Sequence, residues 1–187
     1  MGNLAPYGDQ GADVMAALAE RLGLRAPALP WHTDRSRIWS LVASLEACAR
    51  TMARIASDVA LLASSDIAEI RVRPGGSSSM TEKRNPIDAV RAVAAASACA
   101  GAAGMITAGS SHELDRGIGG WHVEWMAVPM VFETVAASVE AMTKCFEFLE
   151  VDAVRMKDRA GSESAPVLDQ RLIDKVLADY NETVGSE

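Results

Sequence analysis

Between Gly75 and Pro86 the sequence reads GGSSSMTEKRNP. Three hydroxyls, Ser77 to Ser79, run into the cations Lys83 and Arg84 and then into the Asn85 amide. Cationic and N–H donors gathered in this way stabilise negative charge on a small anionic ligand, including charge that develops during a reaction. A serine among them becomes a useful base only where such a setting lowers its pKa. Asn85 followed by Pro86 reads as a helix opening, because asparagine caps and proline is tolerated at the first helical position. The stretch therefore ends on a helix N-terminus, where anions are favoured. A plainer reading stands beside this one: a solvated Ser/Gly linker, two surface cations and a cap.

The elements that must position this stretch are helical. Ile38, Leu41, Leu45, Cys48, Met52, Ile55, Val59 and Leu62 recur in steps of three and four, the seam of a long helix that Thr33 or Asp34 can cap. Trp121, Trp125, Val128, Phe132, Val135, Val139, Met142, Phe146 and Leu149 keep the same alternation, with Pro129 expected to kink the helix near its start. Trp121 and Trp125 fall on that seam, which predicts core packing for both. Between the seams, Pro86 to about Ala108 is so rich in Ala, Gly and Ser that neighbouring helices can approach it closely. Shorter helices are predicted at about Asp9 to Leu22 and Val167 to Tyr180, and no strand pattern stands out. The fold class is all-α, a long-helix bundle.

Bulk properties narrow the function. In 187 residues with 7 prolines, 49% hydrophobic and 5% aromatic content points to alanine-rich helices. The net charge of -7 argues against nucleic acid, and the only local gathering of cations, RVRP and EKRNP, suits a small anion. Cys48, Cys99 and Cys145 lie far apart on helical segments and read as buried free thiols of a reducing, cytoplasmic setting. No secretory signal is visible at the N-terminus, and Ala89 to Ala108, interrupted by Arg91, makes no convincing membrane span. His32, His112 and His122 lack metal-ligand spacing, so no metal site is expected.

The segment Gly76 to Pro86 resembles the signature loop of the fumarase/aspartase superfamily, Gly-Ser-Ser-x-Met-Pro-x-Lys-x-Asn-Pro, with Thr81 where proline is usual. Its flanks, PWHTDRSR (Pro30 to Arg37) and DRGIGGWHVEW (Asp115 to Trp125), resemble the branch of 3-carboxy-cis,cis-muconate cycloisomerases. Adenylosuccinate lyases, C–O/C–N lyases that share the KRNP form of the loop, are the alternative branch. The resemblance runs from about Gly2 to Asp158 and weakens after Gly161. It implies a bundle like the superfamily's central helical domain over residues 1–160, with 161–187 a C-terminal helical tail, a remnant of the third domain.

The same resemblance implies a lactonising enzyme of aromatic catabolism, cytoplasmic and homotetrameric. It would act on a small polycarboxylate without metal or organic cofactor, membrane or nucleic acid. Ser77 would be the catalytic base. Lys83 and Asn85 would hold the substrate carboxylate, and Arg116 would act beside them. Ser78, Met80, Thr33 and Arg37 would complete substrate binding, although Thr33 is equally read as a cap. Family members are more than twice as long and carry a catalytic-acid histidine in a Thr-x-x-His type motif that none of the three histidines here matches. Whether the chain is itself an enzyme is therefore left open. A non-catalytic oligomeric module is the rival reading, and His112 is the first candidate for a replacement acid.

Overall fold

The computed structural model describes residues 4–28, 32–73, 85–114, 117–160 and 170–184. A 3₁₀ helix, Ala5–Gln10, leads into α1 (Gly11–Arg21). The bundle proper is α2 (Ser36–Leu62), α3 (Ile87–Gly109) and α4 (Gly120–Glu147). Strands β1 (Ile70–Arg71) and β2 (Glu150–Val151) pair antiparallel, and α5 (Ala153–Ala160) and α6 (Gln170–Val184) follow. The all-α expectation holds. The two-residue strands and α5 lie outside what the sequence pattern predicted, because pieces so short carry no periodicity to read.

Side-chain contacts fix the helix directions. Trp39 Nε1, near the start of α2, donates to Thr107 Oγ1 near the end of α3 at 3.3 Å. Ser138 Oγ, late in α4, donates to the Ala92 carbonyl early in α3 at 3.2 Å. Neighbours in sequence are thus antiparallel, and α2 and α4 run the same way. Two core clusters lie end to end along the bundle, one around Val42, Ala49, Ile106 and Val131, the other around Ala56, Val59, Ala92 and Met142.

Small residues face inward. The core line of α2 is Val42, Ala49 and Ala56, spaced by seven, whereas the predicted seam members Leu41 and Cys48 are exposed. On α4 the predicted seam divides. Val128, Val135, Met142 and Leu149 pack on the core, while Trp125, Phe132, Val139 and Phe146, again spaced by seven, remain exposed. Alanine at Ala92, Ala96, Ala102, Ala103, Ala127 and Ala141 lets the axes approach toward the short end of the usual 8–10 Å range. Large apolar side chains are left on the outside of the three-helix unit, which corrects the expectation of a buried Cys48 and a core Trp125; the latter is 62% exposed.

Helix ends follow local chemistry. Asp34 Oδ1 accepts the Ser36 N–H at 3.0 Å, so Asp34 rather than Thr33 satisfies the opening of α2. Hydrogen bonds from the Ser36 hydroxyl and N–H hold the Asp34 carboxyl below its usual range. Pro86, not Asn85, stands at the cap of α3, with its carbonyl accepting Val90 N–H at 3.0 Å. Helix α4 starts after Gly119, whose φ of 84° suits glycine, and continues past Pro129. By length and composition alone α3 and α4 could cross a membrane. Packed against each other and α2, they form this bundle's core and enclose the polar side chains of Asp88, Glu124 and Ser138.

Candidate functional site

Asn85 is half-buried immediately before α3, and its carbonyl accepts the Ile87 N–H at 2.8 Å. Arg73, two residues past the end of β1, reaches the first turn of α3. Arg73 Nη2 donates to Asp88 Oδ2 at 3.0 Å, and Arg91 Nη1 lies 3.8 Å from Asp88 Oδ1. The Arg73 guanidinium also sits over the Phe148 ring, 5.3 Å from its centroid, a cation–π contact at the end of α4. Behind Asp88, burial pushes the Cys145 thiol up, and the nearby carboxylate adds to that shift. Two guanidinium groups face one buried carboxylate here, at the N-terminus of α3, where the helix dipole favours an anion. Ser77, Ser78, Met80 and Lys83, which fall between Arg73 and Asn85 in sequence, lie outside the described residues.

Thr33 and Arg37 occupy the opposite end. Thr33 is half-buried before α2 and Arg37 is exposed in its first turn. The Trp39–Thr107 contact places them by the end of α3, and twenty residues from Ile87 to Thr107 at 1.5 Å each make about 30 Å. Asn85 and the pair Thr33 and Arg37 therefore do not meet within one chain. Arg116, the remaining predicted site residue, lies outside the described residues.

This second end holds groups that sequence reasoning missed. Arg35 Nε donates to Glu124 Oε1 at 2.8 Å, and Nη2 to Oε2, a two-point ion pair. Hydrogen bonding to Glu124 raises the Arg35 pKa above its usual value, against the opposing effect of burial. Next to the pair, His32 and Trp125 each meet Trp121 edge-on, at 5.6 and 4.8 Å between centroids, and His122 stacks on Trp121 at 4.1 Å. A lone glutamate inside the apolar WHVEW run was the available signal for a buried charge pair.

His112, the candidate replacement acid, lies between the end of α3 and the start of α4. Its Nε2 donates to the Gly109 carbonyl at 2.8 Å, and its Nδ1 is buried without a hydrogen bond. The ring fastens the end of α3 to the start of α4. Among the described residues no group of three or more His, Cys, Asp or Glu side chains could hold a metal ion.

Known proteins resemble this chain in sequence and fold. A family model described as lyase matches residues 6–101. The chain is 37% identical over 171 residues to 3-carboxy-cis,cis-muconate cycloisomerase of Pseudomonas aeruginosa, covering 89% of this chain and 37% of that protein. A namesake from Bradyrhizobium diazoefficiens is 37% identical over 161 residues, covering 83% of this chain and 36% of the relative. The solved 3-carboxy-cis,cis-muconate lactonizing enzyme of Pseudomonas putida superposes with a TM-score of 0.77 at 31% identity, over 95% of this chain and 39% of that one. The chain thus spans a little over a third of the length of these relatives. Sequence match and superposed bundle agree: the chain belongs to the lyase family of the fumarase/aspartase superfamily.

Proposed function

We propose that this chain carries the carboxylate-binding part of a lactonising cycloisomerase acting on a small polycarboxylate, 3-carboxy-cis,cis-muconate or a close analogue. The observation that carries the reading is the position of Asn85 before the N-terminus of α3, in whose first turn Asp88 meets Arg73 and Arg91. Lactonisation makes a C–O bond at the carbon β to a carboxylate and delivers a proton at the α carbon. Its costly feature is extra negative charge on a carboxylate that is already ionised, and fixed cationic and N–H donors offset that cost. In this reading Lys83 and Asn85 hold the carboxylate, and Arg116 supplies a further cation; Ser77, the catalytic base when the lactone opens, delivers the α proton from its hydroxyl when the lactone closes. Ser78 and Met80 line the same pocket.

Thr33 and Arg37, about 30 Å away in the same chain, then serve a site completed by another copy. The exposed line Trp125, Phe132, Val139 and Phe146 supports such an assembly, since large apolar side chains spaced by seven form a contact stripe. A dihedral homotetramer is the proposed state. A cytoplasmic location and a place in aromatic catabolism complete the proposal. So does the division at residue 160, which is supported by α6 having no extensive packing against other described elements.

One further expectation rests on the sequence, in which none of His32, His112 and His122 matches the family's Thr-x-x-His type motif. With no residue placed as general acid, whose contribution is about 10²- to 10⁴-fold, turnover by this chain alone is absent or low. The non-catalytic module then describes the isolated chain, and the carboxylate site remains. An ultraviolet assay for loss of the muconate diene tests this. Robust turnover abolished by Ser77→Ala would overturn the non-catalytic expectation, and turnover unaffected by Ser77→Ala would overturn the role given to that serine.

A further inference from the structure

Arg73 and Asp88 stand on either side of the whole GGSSSMTEKRNP segment in sequence, yet their side chains meet at 3.0 Å. The Asp88 residue is only 3% exposed, and its Oδ1 accepts no hydrogen bond. Arg73 donates a hydrogen bond to the other oxygen, and Arg91 contributes charge at 3.8 Å. An acidic residue in the first turn of a helix contributes about 0.3–1 kcal/mol, whereas burying a carboxylate costs several. Helix-end electrostatics therefore do not explain this burial. Negative charge beside an anion site also opposes the ligand.

We propose that Arg73 and Asp88 are positioning residues: their ion pair clasps the two ends of the segment that carries Lys83 and Asn85, fixing the exit of β1 against the first turn of α3. The Arg73–Phe148 contact extends the clasp to the end of α4. The functional half of this inference rests on the carboxylate-binding reading above, whereas the clasp itself does not.

Limited trypsin digestion of the folded chain, without ligand, tests the clasp. Cleavage after Lys83 and Arg84 is followed by mass spectrometry, with Lys157 and Arg159 on α5 as reference sites. Arg73 precedes Pro74, so replacing it removes no efficient trypsin site. Arg73→Gln and Asp88→Asn should each speed cleavage after Lys83 and Arg84 about tenfold, as expected when a buried carboxylate loses a charge-assisted hydrogen bond. The reference sites should be unchanged. The double variant should be no faster than either single one, because both act through the same bond, and Arg73→Lys should restore most of the wild-type rate. Titrating these variants with the tricarboxylate reads the functional half, with affinity falling in both singles and no further in the double. Wild-type digestion rates in the single variants, or a rise shared by the reference sites in step with a lower Tm, would overturn the clasp even if the carboxylate binds. A chain that binds no carboxylate yet shows the local, non-additive digestion pattern would retain the clasp and lose the functional reading.

Discussion

Arg35 and Glu124, 89 positions apart, form a two-point ion pair that ties the start of α2 to the start of α4. Both side chains are largely removed from solvent, so each charge depends on the other. Arg35→Met alone leaves the Glu124 carboxylate uncompensated and should cost about 3 kcal/mol of stability. Arg35→Met with Glu124→Leu should cost clearly less, because no buried charge is stranded. Urea unfolding at fixed protein concentration measures both. Equal costs for the single and double variants would show that the pair's burial carries no penalty.

Helices α3 and α4 meet backbone to backbone at their joined ends. A Cβ at Gly120 would lie 2.5 Å from the Gly109 carbonyl oxygen and 2.8 Å from His112 Cδ2. Gly120→Ala should therefore force the two ends apart and cost about 1–3 kcal/mol, the usual range for overpacking. Thermal unfolding reads the change, and an unaltered Tm would contradict this packing.

In the proposed assembly the exposed line on α4 has a role separable from folding. Phe132→Ser removes apolar area from the outside of the three-helix unit and none from its core, where Val131 and Val135 remain. Far-ultraviolet circular dichroism should stay unchanged while light scattering shows a smaller assembly. A loss of helix with no change in mass would place Phe132 in the chain's own core instead.

The turn between α3 and α4 is pH-sensitive through Glu113. The Ile118 N–H donates to its Oε2 at 2.8 Å and holds its carboxyl below the usual 4.5. A folded-state pKa below the unfolded one gives stability that is fully present above the unfolded value and lost as pH falls through the folded one. Glu113→Gln should then lower Tm near pH 7, and the difference should shrink as pH falls below 4.5. A pH-independent difference would argue against an ionised acceptor at this turn.

The sequence made the long helices legible because their 3–4 alternation extends over many turns, as from Trp121 to Leu149. It misassigned part of the α2 face, since in an alanine-rich chain the larger apolar residues Leu41 and Cys48 look like core while Ala49 and Ala56 occupy it. Periodicity finds a face but not which neighbour covers it, and here small residues take the intramolecular side. Asn85 was readable from the loop motif, although its neighbour Pro86 took the cap. The charge pairs Arg35–Glu124 and Arg73–Asp88 were not readable, because each joins residues through the fold rather than along it.

The account depends most on an anion site around Lys83 and Asn85, and isothermal titration of the chain with 3-carboxy-cis,cis-muconate tests it directly. Binding should be weak but measurable, should weaken markedly in Lys83→Ala with the loss of its point charge, and should be nearly unchanged in Ser77→Ala. No heat of binding in the wild type, or equal binding by wild type and Lys83→Ala, would contradict the claim.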